Sequence, residues 1–282
     1  VASDRISAFD HILPKGIPCK GQVLNQVATM FLEATRDIVP NWLIDTPNSH
    51  VAFGHLAPTI PIEVIVRGYI SGSMWRSYEA GERMFCGNIL PDGLKNNQKL
   101  DTPIITPTTK AAAGHDENTS EEEILNAGIV SKTDWDLIKK YSYDLFNFGS
   151  QYTSTKNLIL VDTKFEFGRK KNDQIILIDE ILTPDSSRYF IADSYQEKFD
   201  NGDSPSQLSK EFVRQWLIEN NFMGQEGEIV PEMTADWINT ISARYIELYN
   251  KLIDQSFFKE SKEFNLAKIQ TVYDAFYQKY YA

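Results

Sequence analysis

Apolar positions recur along the chain with two different periods, and these divide it into a strand-rich front and a helical back. Val23, Leu24, Val27, Phe31 and Ile38 fall at helical spacing and predict a helix over residues 22–39, stopped by Pro40. Residues 41–60 carry short apolar runs broken by Gly54 and Pro58 and predict short strands. The β-branched run IEVIVRGYISGS (62–73) predicts a strand ending in a glycine turn, with a short helix over 74–80 behind it. Residues 87–118, rich in Pro, Gly, Asn and Thr, predict an extended loop or a domain boundary. Ser120 and Glu123 have the spacing of a capping box, and Ser131 is placed to cap a longer helix to about residue 147. Apolar runs at 158–167 and 175–178, separated by the polar GRKKND, predict a β-hairpin. Behind it, residues 205–220, 234–253 and 265–281 predict helices. The second of these starts at Thr234 and carries a stripe of Trp237, Ile241, Tyr245, Leu248 and Leu252. A mixed front, a central hairpin and helices behind argue for an α+β fold, with an N-terminal sheet lobe over 1–100 and a C-terminal lobe over 101–282.

The hairpin carries the densest chemistry. Side chains alternate along a strand, so Asp162, Lys164 and Glu166 share one face and Thr163, Phe165 and Phe167 the other. With the turn centred on Asn172-Asp173, residue i faces residue 345 − i, which sets Glu166 opposite Asp179. Opposed like charges destabilise a sheet. A divalent cation between them would convert that cost into a binding site, and Mg²⁺ takes carboxylate oxygens together with substrate phosphates. Lys164, one step along the same face, adds a phosphate-binding charge. A solvated hairpin face carries the same residue types; the apolar runs before Asp162 and Asp179 favour a cleft.

At 282 residues the chain is long enough for one large or two modest domains. A net charge of −11 argues against a nucleic-acid or anionic-membrane partner while leaving room for a local basic pocket. Cys19 and Cys86 cannot form a disulfide framework, and no Cys/His cluster suggests zinc, so a reducing, cytoplasmic location is expected. The sequence has no apolar run of spanning length and opens with no signal peptide.

Other motifs bear on phosphate and carboxylate binding. Arg67, at a strand end beside Gly68, Gly72 and Ser73, suits a phosphate or carboxylate, and equally a hairpin turn with a surface arginine. TPTTKAAAGHD offers Lys110 to phosphates and Asp116 to an amine, on what could also be a solvated loop. PDSSR (184–188) supplies serine hydroxyls and Arg188. Lys210 and Arg214 lie one turn apart on a predicted helix, a spacing also common on wet faces. Neither a GxGxxG nor a P-loop motif occurs.

Six segments in order, DRISAFD (4–10), EVIVRGYISGS (63–73), PIITPTTKAAAGHDE (103–117), LILVDTKFEFG (158–168), LIDEILTPDSSRY (177–189) and SKEFVRQWL (209–217), closely resemble the SAICAR synthetase family, phosphoribosylaminoimidazole-succinocarboxamide synthase. The resemblance implies a two-lobe fold whose N-terminal lobe is related to the nucleotide-binding lobes of kinases and ATP-grasp enzymes. It implies an enzyme of de novo purine synthesis that joins L-aspartate to the carboxylate of CAIR, through an acyl phosphate, to give SAICAR, ADP and phosphate. ATP and Mg²⁺ are the implied cofactors. The implied partners are small molecules, with no nucleic acid or membrane and with a homo-oligomer left open.

Position by position, the resemblance makes Glu166 and Asp179 the metal–ATP carboxylates and Lys110 a contact to ATP phosphates. Lys164 falls at the junction of nucleotide and CAIR and, with Asp116, is the implied catalytic pair. Arg67, Ser73, Asp116, Arg188 and Arg214 match positions that hold CAIR, with Lys210 also substrate-binding, and residues 55–63 border the adenine. Ser7 and Asp10 belong to a motif near the cleft. The family's glycine- and lysine-bearing strand pair would precede DRISAFD, whereas this sequence opens three residues before that motif, and the loop at 111–115 is about one residue short. A silent nucleotide-binding homologue and a small-molecule kinase stay open as alternatives; the full set Lys110, Lys164, Glu166 and Asp179 favours the ligase.

Overall fold

The computed structural model describes residues 1–9, 11–110, 117–257 and 266–281. The chain opens with the two-residue strands β1 (Ser7–Ala8) and β2 (His11–Ile12), then helix α1 (Lys20–Ala34), which buries Val23, Val27 and Phe31. This helix stops well short of Pro40, because the Thr35 hydroxyl donates back to the Phe31 carbonyl at 2.7 Å and the chain turns. A small hairpin, β3 (Leu43–Asn48) and β4 (Val51–Gly54), leads into the long strand β5 (Thr59–Tyr69) and helix α2 (Gly72–Glu79). A second small hairpin, β6 (Met84–Phe85) and β7 (Asn88–Ile89), precedes β8 (Lys99–Thr109). Helices α3 (Glu121–Asn126) and α4 (Lys132–Ser154) follow, capped by Ser120 in a complete capping box and by Ser131, as their sequence signals predict.

The centre of the molecule is β9 (Leu158–Arg169), paired along one edge with β10 (Ile175–Ile178) and β11 (Ser187–Ile191) and along the other with β5. With β8 outside β5 they form a five-stranded antiparallel sheet. Helices α5 (Ala192–Asn201), α6 (Glu211–Glu219), α7 (Ala235–Ile253) and α8 (Leu266–Tyr281) complete the chain. Phe276 of α8 stacks on Phe53 of β4 with ring centroids 3.9 Å apart. Among the described residues no helix is long and apolar enough to cross a membrane.

The two faces of the sheet differ sharply. Val64, Val66, Phe165 and Phe167 are fully buried on one face, in the core that includes Trp135, Ile138 and Leu145 of α4. Glu63, Arg67, Asp162, Lys164 and Glu166 lie on the other. Burying the first face holds the charged one in register, because a slip of one residue would exchange them.

Three expectations change. The segment read as a loop at 87–118 contains the eleven-residue strand β8. Pro103 and Pro107 are tolerated there because β8 is an outer strand, where a missing N–H costs no ladder bond. The helix expected over 205–220 begins only at Glu211, and β11 and α5 lie where no element was assigned. The hairpin register is also different: Glu166 pairs with Ile178 and Arg169 with Ile175, so residue i faces 344 − i. The turn is odd-numbered. Lys170 and Gln174 are bonded, the Asp173 N–H returns to the Lys170 carbonyl, and Asp173 adopts φ +65°. This is the three-residue loop with a left-handed closing residue, centred on Asn172 alone.

Candidate functional site: a charged cleft on the open face of the sheet

A cleft of about 740 Å³ lies on the charged face, floored by β5 and β9 and walled by the loop between β10 and β11 and by the start of α6. Ser7 and Phe9 from the first motif also line it.

One end is organised by carboxylates. Glu63 and Glu166 are directly opposed across β5 and β9. Lys164 bridges them, donating to Glu63 Oε1 at 2.8 Å and Glu166 Oε1 at 3.1 Å, and Lys110 forms a close ion pair with Glu166 Oε2. Burial pushes the Glu166 carboxyl up, but Lys164 and Lys110 outweigh it and hold the pKa below the ordinary range. Burial likewise works against the Lys164 ammonium, and Glu63 and Glu166 overcome it, leaving its pKa well above the ordinary value.

Asp179 lies one residue beyond β10 and is not the ladder partner of Glu166. It still reaches that carboxylate. Its backbone is left-handed at φ +61°, with its carbonyl held by the Trp42 indole N–H at 2.8 Å, and its carboxyl lies close enough to Glu166 to feel that charge. The residue is exposed. Crowding around the carboxyl, and then the Glu166 charge, push its pKa up. A cation would relieve that repulsion, and the two ammonium groups on Glu166 already stand where cations bind. Among the described residues no group of three or more His, Cys, Asp or Glu is placed to hold a metal. Two carboxylates alone would leave most of an ion's shell to phosphate and water oxygens.

The other end is a chain of alternating charge. Asp162 Oδ2 accepts from Arg67 Nη1 at 3.2 Å and Arg188 Nη1 at 2.8 Å. Glu211 Oε2 accepts from Arg188 Nη2 at 3.1 Å and Arg214 Nη1 at 3.3 Å. Arg67 is further fixed by Thr106 Oγ1 at 2.8 Å and Ser73 Oγ at 3.2 Å. Three guanidinium groups against two carboxylates leave a net positive, preorganised end, with Arg67 and Arg188 desolvated and Arg214 at the surface, which suits a phosphate. Gly72 permits this closeness: a Cβ there would lie 2.6 Å from Arg188 Nη2.

The middle is formed by the loop between β10 and β11. The Ser186 carbonyl takes the Lys164 N–H at 2.9 Å, which ties the loop to the sheet. Asp185 Oδ2 accepts from Lys20 at 2.7 Å and Oδ1 from the Tyr245 hydroxyl at 2.5 Å, and Lys210 stands beside it.

The structure thus brings Arg67, Ser73, Lys110, Lys164, Glu166, Asp179, Arg188, Lys210 and Arg214 around one sheet face. Asp116 lies outside the described residues, as does Asp10. The sequence places Asp162 on the charged face without giving it a role and has Glu63 only as the end of the segment bordering the adenine; it does not single out Asp185 or Lys20. Glu63 shares strand parity with Arg67, and pairing β5 with β9 would have exposed its role. Lys20 and Asp185 meet only in the folded chain.

The family model for SAICAR synthetase matches residues 1–230. A phosphoribosylaminoimidazole-succinocarboxamide synthase of Azobacteroides pseudotrichonymphae is 53% identical over 270 residues, covering 96% of this chain and 83% of that protein. The enzyme of the same name from Flavobacterium psychrophilum is 54% identical over 260 residues, covering 92% and 82%. Among solved structures, the SAICAR synthase of Saccharomyces cerevisiae complexed with SAICAR is 33% identical, with a TM-score of 0.77 over 92% of this chain and 89% of that one. A sheet whose charged face has a carboxylate end and an arginine end, and relatives of this identity over nearly the whole chain, lead to one conclusion: the chain belongs to the SAICAR synthetase family.

Proposed function

We propose that the cleft performs the family's reaction with its two ends divided between the substrates, nucleotide at the carboxylate end and CAIR phosphate at the arginine end. The chain is an ATP-dependent carbon–nitrogen ligase of purine biosynthesis that forms SAICAR from CAIR and L-aspartate. The observation that carries the division is Lys164, whose ammonium sits between Glu63 and Glu166, two residues along the strand from Asp162, which accepts from Arg67 and Arg188.

A carboxylate is a poor electrophile, and phosphorylation gives it a good leaving group; an acyl phosphate is then open to the aspartate amine. Lys164, held protonated by its two carboxylates, acts on the transferring phosphoryl group as a fixed positive charge and not as a base. Lys110 adds a second charge, and Asp116 belongs with the catalytic groups. Magnesium bound by Glu166 and Asp179 would neutralise phosphate charge. Asp162 and Glu211 hold the guanidinium groups in place before substrate arrives, so their ordering entropy is already spent. A two-lobe division near residue 100, with β8 and β5 joining the lobes, and a cytoplasmic setting belong to the same reading.

The test is a coupled assay in which ATP turnover requires CAIR and L-aspartate together. Glu166→Gln should remove Mg-dependent turnover while the melting temperature stays within a few degrees of the unaltered protein. Near-normal turnover in that variant would refute the metal role.

A further inference from the structure

Trp42 connects Asp179 to an element remote from the cleft. Residues 40–42 run along the outer edge of β10. There the Leu177 N–H donates to the Pro40 carbonyl at 2.9 Å, the Trp42 N–H donates to the Leu177 carbonyl at 3.0 Å, and Asn41 forms a parallel bridge to Leu177. From this edge the Trp42 indole N–H reaches past the end of the strand to the Asp179 carbonyl at 2.8 Å. Asp179 is left-handed at φ +61°, a conformation that is unfavourable for a residue with a Cβ and persists where the surroundings hold it. The indole is itself closely confined. A Cβ on Gly54 would come within 2.0 Å of its ring, and the His55 N–H donates to the Trp42 carbonyl at 2.7 Å.

Gly54 ends β4, and its partner across the hairpin is Leu43, next to Trp42. The next pair outward is Asp45 with Phe53. Helix α8 grips both members of that pair. The buried Phe276 ring lies on Phe53, 3.9 Å between centroids and 11° from parallel. Lys279 Nζ and the Tyr280 hydroxyl both donate to Asp45 Oδ2, at 2.8 and 3.0 Å. Helix α1 holds the hairpin toward its tip, through Thr29 to Thr46 at 3.1 Å and Asn25 to the Asn48 and Ser49 carbonyls at 3.3 and 3.1 Å. The clamp nearest Trp42 is therefore α8, which lies beyond the residues 1–230 that the SAICAR synthetase model matches. A shift of β4 would carry Gly54 against or away from the indole, and with it the bond to Asp179.

We propose that Trp42 is a positioning residue for the nucleotide end, fixing Asp179 through its carbonyl, and that α8 keeps Trp42 in place through the Asp45–Phe53 pair. This assignment rests on the reading that puts nucleotide at the carboxylate end. The probe is ADP with magnesium, titrated calorimetrically into the full chain without CAIR or aspartate, alongside steady-state kinetics. Trp42→Phe keeps an aromatic ring and removes the N–H. It should weaken Mg·ADP binding about fivefold and leave KM for CAIR within about twofold of the parent. Phe276→Ala should weaken Mg·ADP binding about threefold, again with KM for CAIR little changed. Combining the two should weaken it no further than Trp42→Phe alone, because both act through one hydrogen bond. Parental Mg·ADP affinity in Trp42→Phe, or an equal loss of nucleotide and CAIR, would overturn the role of Trp42. Parental affinity in Phe276→Ala, or losses that multiply in the double variant, would overturn that of α8. A parent protein that binds no Mg·ADP would count against the nucleotide reading and this assignment together.

Discussion

Replacing Gly72 by alanine puts a methyl group onto the guanidinium of Arg188. The added Cβ would lie 2.6 Å from Nη2, 2.9 Å from Nη1 and 3.2 Å from Cζ, and the first two are shorter than real Cβ contacts. Arg188 has little freedom to retreat: it is 8% exposed, and Asp162 and Glu211 hold its two terminal nitrogens. Moving it costs one charge-assisted hydrogen bond, about 1.5–3 kcal/mol. Gly72 also has φ +61°, which costs a residue with a Cβ about 1–2 kcal/mol. Gly72→Ala should therefore destabilise the fold by about 2.5–5 kcal/mol. If Arg188 holds the CAIR phosphate, the variant should also raise KM for CAIR roughly tenfold.

Gly128→Ala is the control. Gly128 has φ +65° with nothing within 4 Å, so it carries the backbone cost alone, about 1–2 kcal/mol, with no change in KM. Urea unfolding and steady-state kinetics on both variants separate the two contributions. Equal destabilisation, with KM for CAIR unmoved in both, would refute the claim that Gly72 is required by Arg188.

Two further predictions concern buried charge. Asp162→Asn removes the carboxylate between two buried arginines and should cost about 3–5 kcal/mol in urea unfolding. Inorganic phosphate should raise the melting temperature of that variant more than that of the parent, and equal shifts would show that the guanidinium groups do not form an anion site. Burial, then Asp185 and Asp179, push the Glu180 carboxyl up to about 7. The folded chain then keeps a proton that the unfolded chain has released, so this group's contribution to stability falls as pH rises from the ordinary carboxylate range toward that value. Without metal or nucleotide, the stability of Glu180→Gln relative to the parent should rise between about pH 4 and pH 8; parallel curves would show that Glu180 ionises normally.

What the sequence revealed depended on whether the signal was local. Helix α7 was readable from end to end, because Thr234 caps it and its apolar stripe has the right period. The charged face of β9 was readable because strand alternation is a backbone property. The position of Asp179 was approached by a register one residue out: an even turn was assumed, whereas a left-handed Asp173 makes it odd. Asp179 nonetheless interacts with the Glu166 carboxylate, from a left-handed backbone of its own at φ +61°. No local pattern announces either conformation in an Asp. Strand β8 was hidden by its prolines, whose tolerance depends on having no strand beyond it. Lys20, on α1, could not be linked to Asp185 without the packing of the folded chain.

Those prolines also bear on how copies of this chain can meet. Pro107 has no N–H to offer, its carbonyl accepts the Thr119 N–H at 3.0 Å, and Thr108 forms a bridge to Asn118. The Ile105 carbonyl is taken by the Asn88 side chain at 2.8 Å. This stretch of the sheet's edge is thus closed to a foreign β-segment, which guards a crowded, newly made chain against fibrous self-association there.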